Sequence, residues 1–370
     1  MATRKRRADE DYILDVNEAE EVIPYNYTIT AYGADYPVDS LIQRLRTNDV
    51  VVPLFSRAGR DESDTVRFQR EFVWSKLQAD RFVESLLLGL PVPGIFLVKE
   101  SSGLLLVLDG HQRLRSLQGF YDNDWNQGEF RLQYVQERFR GLSYQDLETE
   151  DRRRLNDSII HATIVRQDEP SEDQSSIYLI FERLNSGGTS LQPQEIRVAL
   201  YHGELVAVLT ELNRNDHWRR LYGKKSKRLK DIELILRFFA FYYYAGQYAR
   251  PMKGFLNVYM AANRHLARQS ARELTRRFES TVAAIDGAIG DMAFKPQGSL
   301  NAAVVDAVMI GVARRLEERR EITSPRSLAS AYRKLMENAR FRDVSGRATA
   351  DEESVRVRLD LATRAFAKVP

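Results

Sequence analysis

The chain contains no cysteine in its 370 residues. That excludes disulfides and thiolate metal sites, and it makes a reducing, cytoplasmic setting the expectation. Histidine is scarce: the five are His111, His161, His202, His217 and His265, and no two stand at a metal-ligand spacing. There is no Gly-x-Ser-x-Gly elbow and no internal repeat. Long apolar runs are missing too. The longest, around residues 235–245, is interrupted by Arg237 and is too short to span a bilayer, so no membrane partner is expected. Arg4, Lys5, Arg6 and Arg7 open the chain with no apolar segment behind them, which is not the pattern of a signal peptide. Neither charge sign dominates. The 55 Lys and Arg nearly balance 52 Asp and Glu, and a net +3 is too small to establish a nucleic-acid partner by itself.

What is present is an ordinary globular composition, 43% hydrophobic and 29% charged, on a chain long enough for two domains with sizeable cores. Residues 1–25 read as a flexible charged arm. Short β-rich pieces at residues 27–32 and 50–55 follow. Ser75 and Gln78 have the spacing of a capping box. The helix they open carries Leu77, Phe82, Leu86 and Leu90 and stops at Gly89 and Pro91. Residues 95–98 form a strand, and Ser101-Ser102-Gly103 turns the chain into the next one. Residues 172–184 are helical in phase. Asn185-Ser186-Gly187-Gly188-Thr189 breaks that helix, and Pro193 suits the first turn of another. Beyond residue 205 helix follows helix: 232–244, rich in Phe and Tyr and expected in the core, then 256–289, 301–316 and 325–339. Residues 341–347 read as a loop and 351–366 as a last helix.

The most informative stretch is Leu108-Asp109-Gly110-His111-Gln112-Arg113-Leu114. An apolar run ends at Asp109-Gly110, and an amphipathic pattern with Leu114 and Leu117 begins at once. That predicts strand, tight turn, helix, with backbone N–H groups and a positive helix end beside an acid, an amide and an arginine. Such a corner suits a phosphate. Asp109 could hold Mg²⁺ through water or orient an attacking water, Arg113 could neutralise phosphoryl charge, and Gln112 and the Gly110 amide could donate to phosphate oxygens. His111 is placed to accept a proton near neutral pH. The plainer alternative is that Asp109 only caps the helix and Arg113 only pairs with a neighbour.

The surrounding blocks carry a resemblance. Upstream stand Arg67-Phe68-Gln69-Arg70-Glu71-Phe72-Val73-Trp74 and Phe82-Val83-Glu84-Ser85-Leu86-Leu87-Leu88-Gly89-Leu90-Pro91-Val92-Pro93. Downstream stand Ile180-Phe181-Glu182-Arg183-Leu184-Asn185-Ser186-Gly187-Gly188-Thr189 and Glu195-Ile196-Arg197. In this order, over roughly residues 65–200, they resemble the N-terminal domain of GmrS/GmrD-type modification-dependent restriction proteins, a bacterial family with a ParB/sulfiredoxin-like core. The family signature is Asp-Gly-Gln-Gln-Arg, and here His111 replaces the first Gln. The corner is also similar to the Gly-Glu-Arg-Arg box of ParB, a strand-to-helix turn that holds nucleotide phosphates. The resemblance implies an α+β, ParB-like nucleotide- or anion-binding domain over 26–204 and a helical domain over 205–370. It adds Gln69, Arg70, Asn185, Gly187 and Gly188 to the phosphate-binding candidates beside Gly110 and His111. Full-length relatives often add an HNH nuclease domain. This chain has no histidine after His265, so it is not expected to cut DNA by itself.

A basic run, Arg219, Arg220, Lys224, Lys225, Lys227, Arg228 and Lys230, contains no acid and could meet DNA phosphates, or it could be a solvated loop. Gly223-Lys224-Lys225-Ser226 is not a P-loop, because Trp218 stands where the first glycine is required. Three functional readings result. The first is an NTP-binding, NTP-hydrolysing sensor or regulator of a bacterial anti-phage or restriction system, using Mg²⁺ and acting with DNA or a separate effector protein. The second is a DNA-binding module with DNA phosphate in the corner. The third is a non-catalytic partner-binding scaffold.

Overall fold

The computed structural model describes residues 13–14, 28–52, 74–100, 102–125, 128–169, 175–184, 191–319 and 321–370. The fold is α+β and divides into two compact units, Tyr25–Leu191 and one formed chiefly by Gln192–Pro370. A short strand, β1 (Ile13–Leu14), belongs to the second unit.

The first unit is built on a five-stranded mixed sheet of β2 (Thr28–Pro37), β3 (Val50–Val51), β4 (Ile95–Lys99), β5 (Leu105–Asp109) and β6 (Ile159–Glu169). The spatial order is β2-β6-β4-β5-β3. β6 runs antiparallel to β2 and parallel to β4, and β5 runs antiparallel to β4 and parallel to β3. Leu105, Leu106, Val107 and Leu108 are all buried. An unbroken apolar run is what a strand covered on both faces requires. Leu105 and Val107 join one cluster with the buried faces of α1 (Val38–Arg46), α2 (Lys76–Leu87) and α3 (His111–Asp122). α4 (Thr149–Asp157) adds Leu155 to that cluster, and α5 (Ser175–Leu184) packs on β5 and β6. β2 runs further than the residues 27–32 expected of it, because β6 pairs with it as far as Pro37↔Ile159. The capping box at Ser75 is present, Ser75 accepting from the Gln78 N–H while Gln78 reaches back.

The second unit is helical: α6 (Pro193–Leu200), α7 (Glu204–Leu212), α8 (Asp216–Tyr222), α9 (Lys230–Tyr244), α10 (Met252–Asn263), α11 (Ala271–Ala288), α12 (Ala302–Glu318), α13 (Pro325–Glu337), α14 (Ala339–Gly346) and α15 (Glu352–Ala367). β7 (Leu300–Asn301) pairs in parallel with β1, inside the stretch expected as an arm. The aromatic stripe of α9 is core, with Phe238, Phe239 and Phe241 buried. α12 and α15 approach closely at Gly311, where a Cβ would stand 2.8 Å from the Ala362 backbone. Buried Asp306 accepts from Arg358 at 2.9 Å and from Nε and Nη2 of Arg237.

Two expectations need correction. The helix expected over 256–289 is two helices, because the chain breaks after Asn263, Leu266 takes a left-handed φ of 55°, and Ser270 caps α11 afresh. Residues 341–347 are largely helix, not loop. Asn338 caps α14 by accepting from the Phe341 N–H, and Phe341 and Val344 bury one side. A helix of two turns is too short for its periodicity to stand out in sequence. α6 belongs to the second unit, where it packs on α9 and α10 and buried Arg197 donates to Asn257 and Glu233. No described helix is long and apolar enough to cross a membrane.

Candidate functional site: a glycine-started helix beside an acid–arginine pair

β5 ends on Asp109, and Gly110 follows with φ 96°. A Cβ at Gly110 would lie 2.4 Å from Ile95 Cγ2, so both conformation and space demand glycine. Gly110 is the N-cap of α3, and no side chain caps the helix. The alternative in which Asp109 is the cap therefore fails. The first intrahelical bond runs from the Leu114 N–H to the Gly110 carbonyl, so the N–H groups of residues 111–113 point out of the helix end.

Arg113 Nη2 donates to Asp109 Oδ2 at 2.8 Å and to the Gly94 carbonyl at 2.9 Å. One nitrogen thus ties the start of β4, the end of β5 and the first turn of α3 together. The expected pairing of Arg113 with a neighbour is real, and the neighbour is Asp109. The Asp109 side chain is 47% exposed against 15% for Arg113. The acid therefore faces solvent while the arginine holds it from behind. Asp109 Oδ1 accepts no hydrogen bond among the described residues, and Arg113 Nε is buried without one. Gln112 Oε1 accepts the Trp74 N–H at 3.4 Å, which brings the end of the Arg67-to-Trp74 block to the corner. With its oxygen turned to a donor, the Gln112 amide presents its NH₂ elsewhere.

Several features escaped sequence reading. Gly94 supplies the second acceptor for Arg113, and a Cβ there would stand 2.7 Å from the His161 carbonyl. Its only signal was the Pro91-Val92-Pro93 approach. Arg115, one turn beyond His111, is partly buried, has no acid partner among the described residues, and has its pKa lowered by desolvation. Lys76 is partly buried against Phe130, its ammonium 4.3 Å from the ring centroid, and pairs with buried Asp80. Desolvation outweighs that pairing and lowers its pKa. Asp80 Oδ2 in turn accepts the N–H groups of Gln133 and Tyr134, at 2.9 and 3.1 Å. This cluster fixes the loop after α3 onto α2.

Gln69, Arg70, Asn185, Gly187 and Gly188 lie outside the described residues. Among the described residues, no three His, Asp or Glu side chains gather as a metal cluster. A single outward carboxylate suits Mg²⁺ held mainly by water and substrate phosphate, a common arrangement for that ion. An open groove of about 690 Å³, lined by Asp39, Arg44, Arg46, Asp49, Tyr121 and Tyr144, lies at the other end of α3 and does not include the corner.

In the helical unit the basic run separates into two sets. Arg219 pairs with buried Asp231 at 3.0 Å, Arg220 with Asp286, and Arg228 with Glu195 at 3.3 Å. Lys224, Lys225 and Lys227 are exposed and have no ion pair among the described residues.

Residues 54–202 match the family model described as the GmrSD restriction endonuclease, N-terminal domain. The segment that carries the corner is thus similar to the N-terminal domain of that family. No curated protein and no solved structure matches the chain.

Proposed function

We propose that this chain, with its GmrSD-type N-terminal domain and its consequent tie to restriction and defence, is a nucleoside-triphosphate-binding sensor or regulator. The phosphates meet the start of α3, with the terminal one beside Asp109. The observation that carries this reading is the Arg113 nitrogen shared by Asp109 and the Gly94 carbonyl beside an uncapped helix N-terminus. The N–H groups of the first turn of α3 bind phosphate oxygens. Asp109, fixed in direction by Arg113, orients a water or, with substrate phosphate, holds Mg²⁺ through its outward oxygen. Arg113 fixes the direction of the acid and lends positive charge to the transition state. His111, in the place usually filled by Gln, serves as a hydrogen-bond donor.

The test is turnover of each NTP with Mg²⁺, with and without DNA, by wild type and by Asp109→Ala. Phosphate release that disappears in the variant supports the reading. Equal release from both proteins removes the corner from the chemistry.

A second reading, a DNA-binding module, draws on the exposed Lys224, Lys225 and Lys227. In either case the chain acts with a separate effector and does not cut DNA unaided. Plasmid nicking that co-purifies with the protein and is lost in Asp109→Ala would overturn this.

A further inference from the structure

The helical unit carries a second basic surface that its sequence does not advertise. Arg268, in the segment before α11, and Arg272 and Arg276 within α11 are exposed. Arg272 and Arg276 stand four residues apart and so share one face. None of the three makes an ion pair among the described residues. This differs from most exposed cations nearby. Arg220 is held by Asp286, Arg214 by Glu211 and Arg314 by Glu317. The neighbouring acids are turned to other work: Glu273 accepts from the Tyr243 hydroxyl, and Glu204 stands by His265. Glu279, one turn past Arg276, marks the end of the stripe.

The placement is also locally unfavourable. A helix begins positive, and acids rather than arginines stabilise its first turns. Arg272 is kept against that field, and three exposed arginines without an ion pair among the described residues point to a partner that supplies negative charge. Among residues 264–280 none is an exposed large apolar side chain. The surface therefore offers nothing to insert into a lipid layer and no aromatic ring on which an unpaired base could stack.

We infer that Arg268, Arg272 and Arg276 form a binding surface for the phosphate backbone of double-stranded nucleic acid. It reads no sequence and is separate from the nucleotide corner. The surface does not depend on the nucleotide reading and would stand if that reading failed.

The experiment measures binding of the full chain to a short labelled DNA duplex across a salt series. Three triple variants are compared: Arg268, Arg272 and Arg276 all to Gln, the same three to Lys, and a control in which the exposed but ion-paired Arg214, Arg356 and Arg364 become Gln. The Gln variant should lose at least about tenfold in affinity, and its salt slope should fall by about 0.9 for each phosphate contact removed. The Lys variant should keep most of the affinity, and the control should bind nearly as wild type does. Equal losses in the α11 variant and the control would overturn the inference, as would losses as large with Lys as with Gln. No binding of the duplex by wild type, or binding of anionic vesicles instead, would do the same.

Discussion

Asp109 Oδ2 and Arg113 Nη2 stand 2.8 Å apart across the first turn of α3, and the same nitrogen reaches the Gly94 carbonyl. Because Asp109 is 47% exposed, the pair by itself contributes only about 0–1 kcal/mol to stability. Asp109→Ala should therefore melt close to wild type while losing nucleotide turnover. Arg113→Lys should be nearly as inactive, since its nitrogen sits on a side chain one bond shorter and cannot hold Asp109 Oδ2 and the Gly94 carbonyl together as Nη2 does. Thermal melts alongside phosphate release separate these effects. A large drop in melting temperature for Asp109→Ala would mean that the pair is structural.

Gly110→Ala should be damaging for two separable reasons. The φ of 96° strains any side chain, by about 1–3 kcal/mol, and the new Cβ would meet Ile95 Cγ2 at 2.4 Å. Shortening Ile95 to Ala in the same chain removes the Cγ2 clash, leaving the Cβ of residue 95 at 3.0 Å, but does not remove the strain. The double variant should be less destabilised by the glycine change than the single, with a coupling of about 1 kcal/mol or more in a denaturation cycle. Purely additive effects would contradict the packing described here.

The basic run should divide in two under mutation. Arg219→Ala leaves Asp231 buried without its partner and should cost about 3–5 kcal/mol of stability. Replacing Lys224, Lys225 and Lys227 by Glu should leave the melt nearly unchanged. If the loop meets DNA, that triple variant weakens binding about equally for all sequences. Denaturation curves and gel shifts on the two proteins check both halves.

Acid stability should depend on Glu233. Burial pushes its carboxyl up, but Lys230, Arg197 and Arg237 outweigh that and hold it below the ordinary glutamate range. A depressed carboxylate contributes stability that is complete above the unfolded value, about 4.3, and is lost as pH falls through the folded one. Glu233→Gln should therefore be less stable near neutral pH yet show a flatter decline below about pH 4. Denaturant midpoints across this range would show it, and parallel acid limbs in the two proteins would contradict it.

The α+β class and the strand–turn–helix at Asp109 were legible because they are local: an apolar run, a glycine and a helical phase adjoin one another in sequence. The capping box at Ser75 was legible for the same reason. The Gly94 acceptor was not, because its meeting with Arg113 depends on β4 lying beside β5. Nor could the run from Arg219 to Lys230 reveal that Asp231, Asp286 and Glu195 neutralise its arginines, since two of these acids come from other helices. α14 was hidden by its brevity. The stripe from Arg268 to Arg276 was hidden by interspersed acids whose partners only the fold assigns.

The central claim is that phosphate lies against the start of α3. Hydrogen exchange of the wild-type chain with and without NTP and Mg²⁺ tests it most directly. The account predicts slowed exchange confined mainly to the segment from Gly110 to Leu114, together with the chain entering it at Trp74, and no such slowing in Asp109→Ala. Nucleotide binding that leaves these amides unchanged, or that protects a different part of the chain, would contradict it.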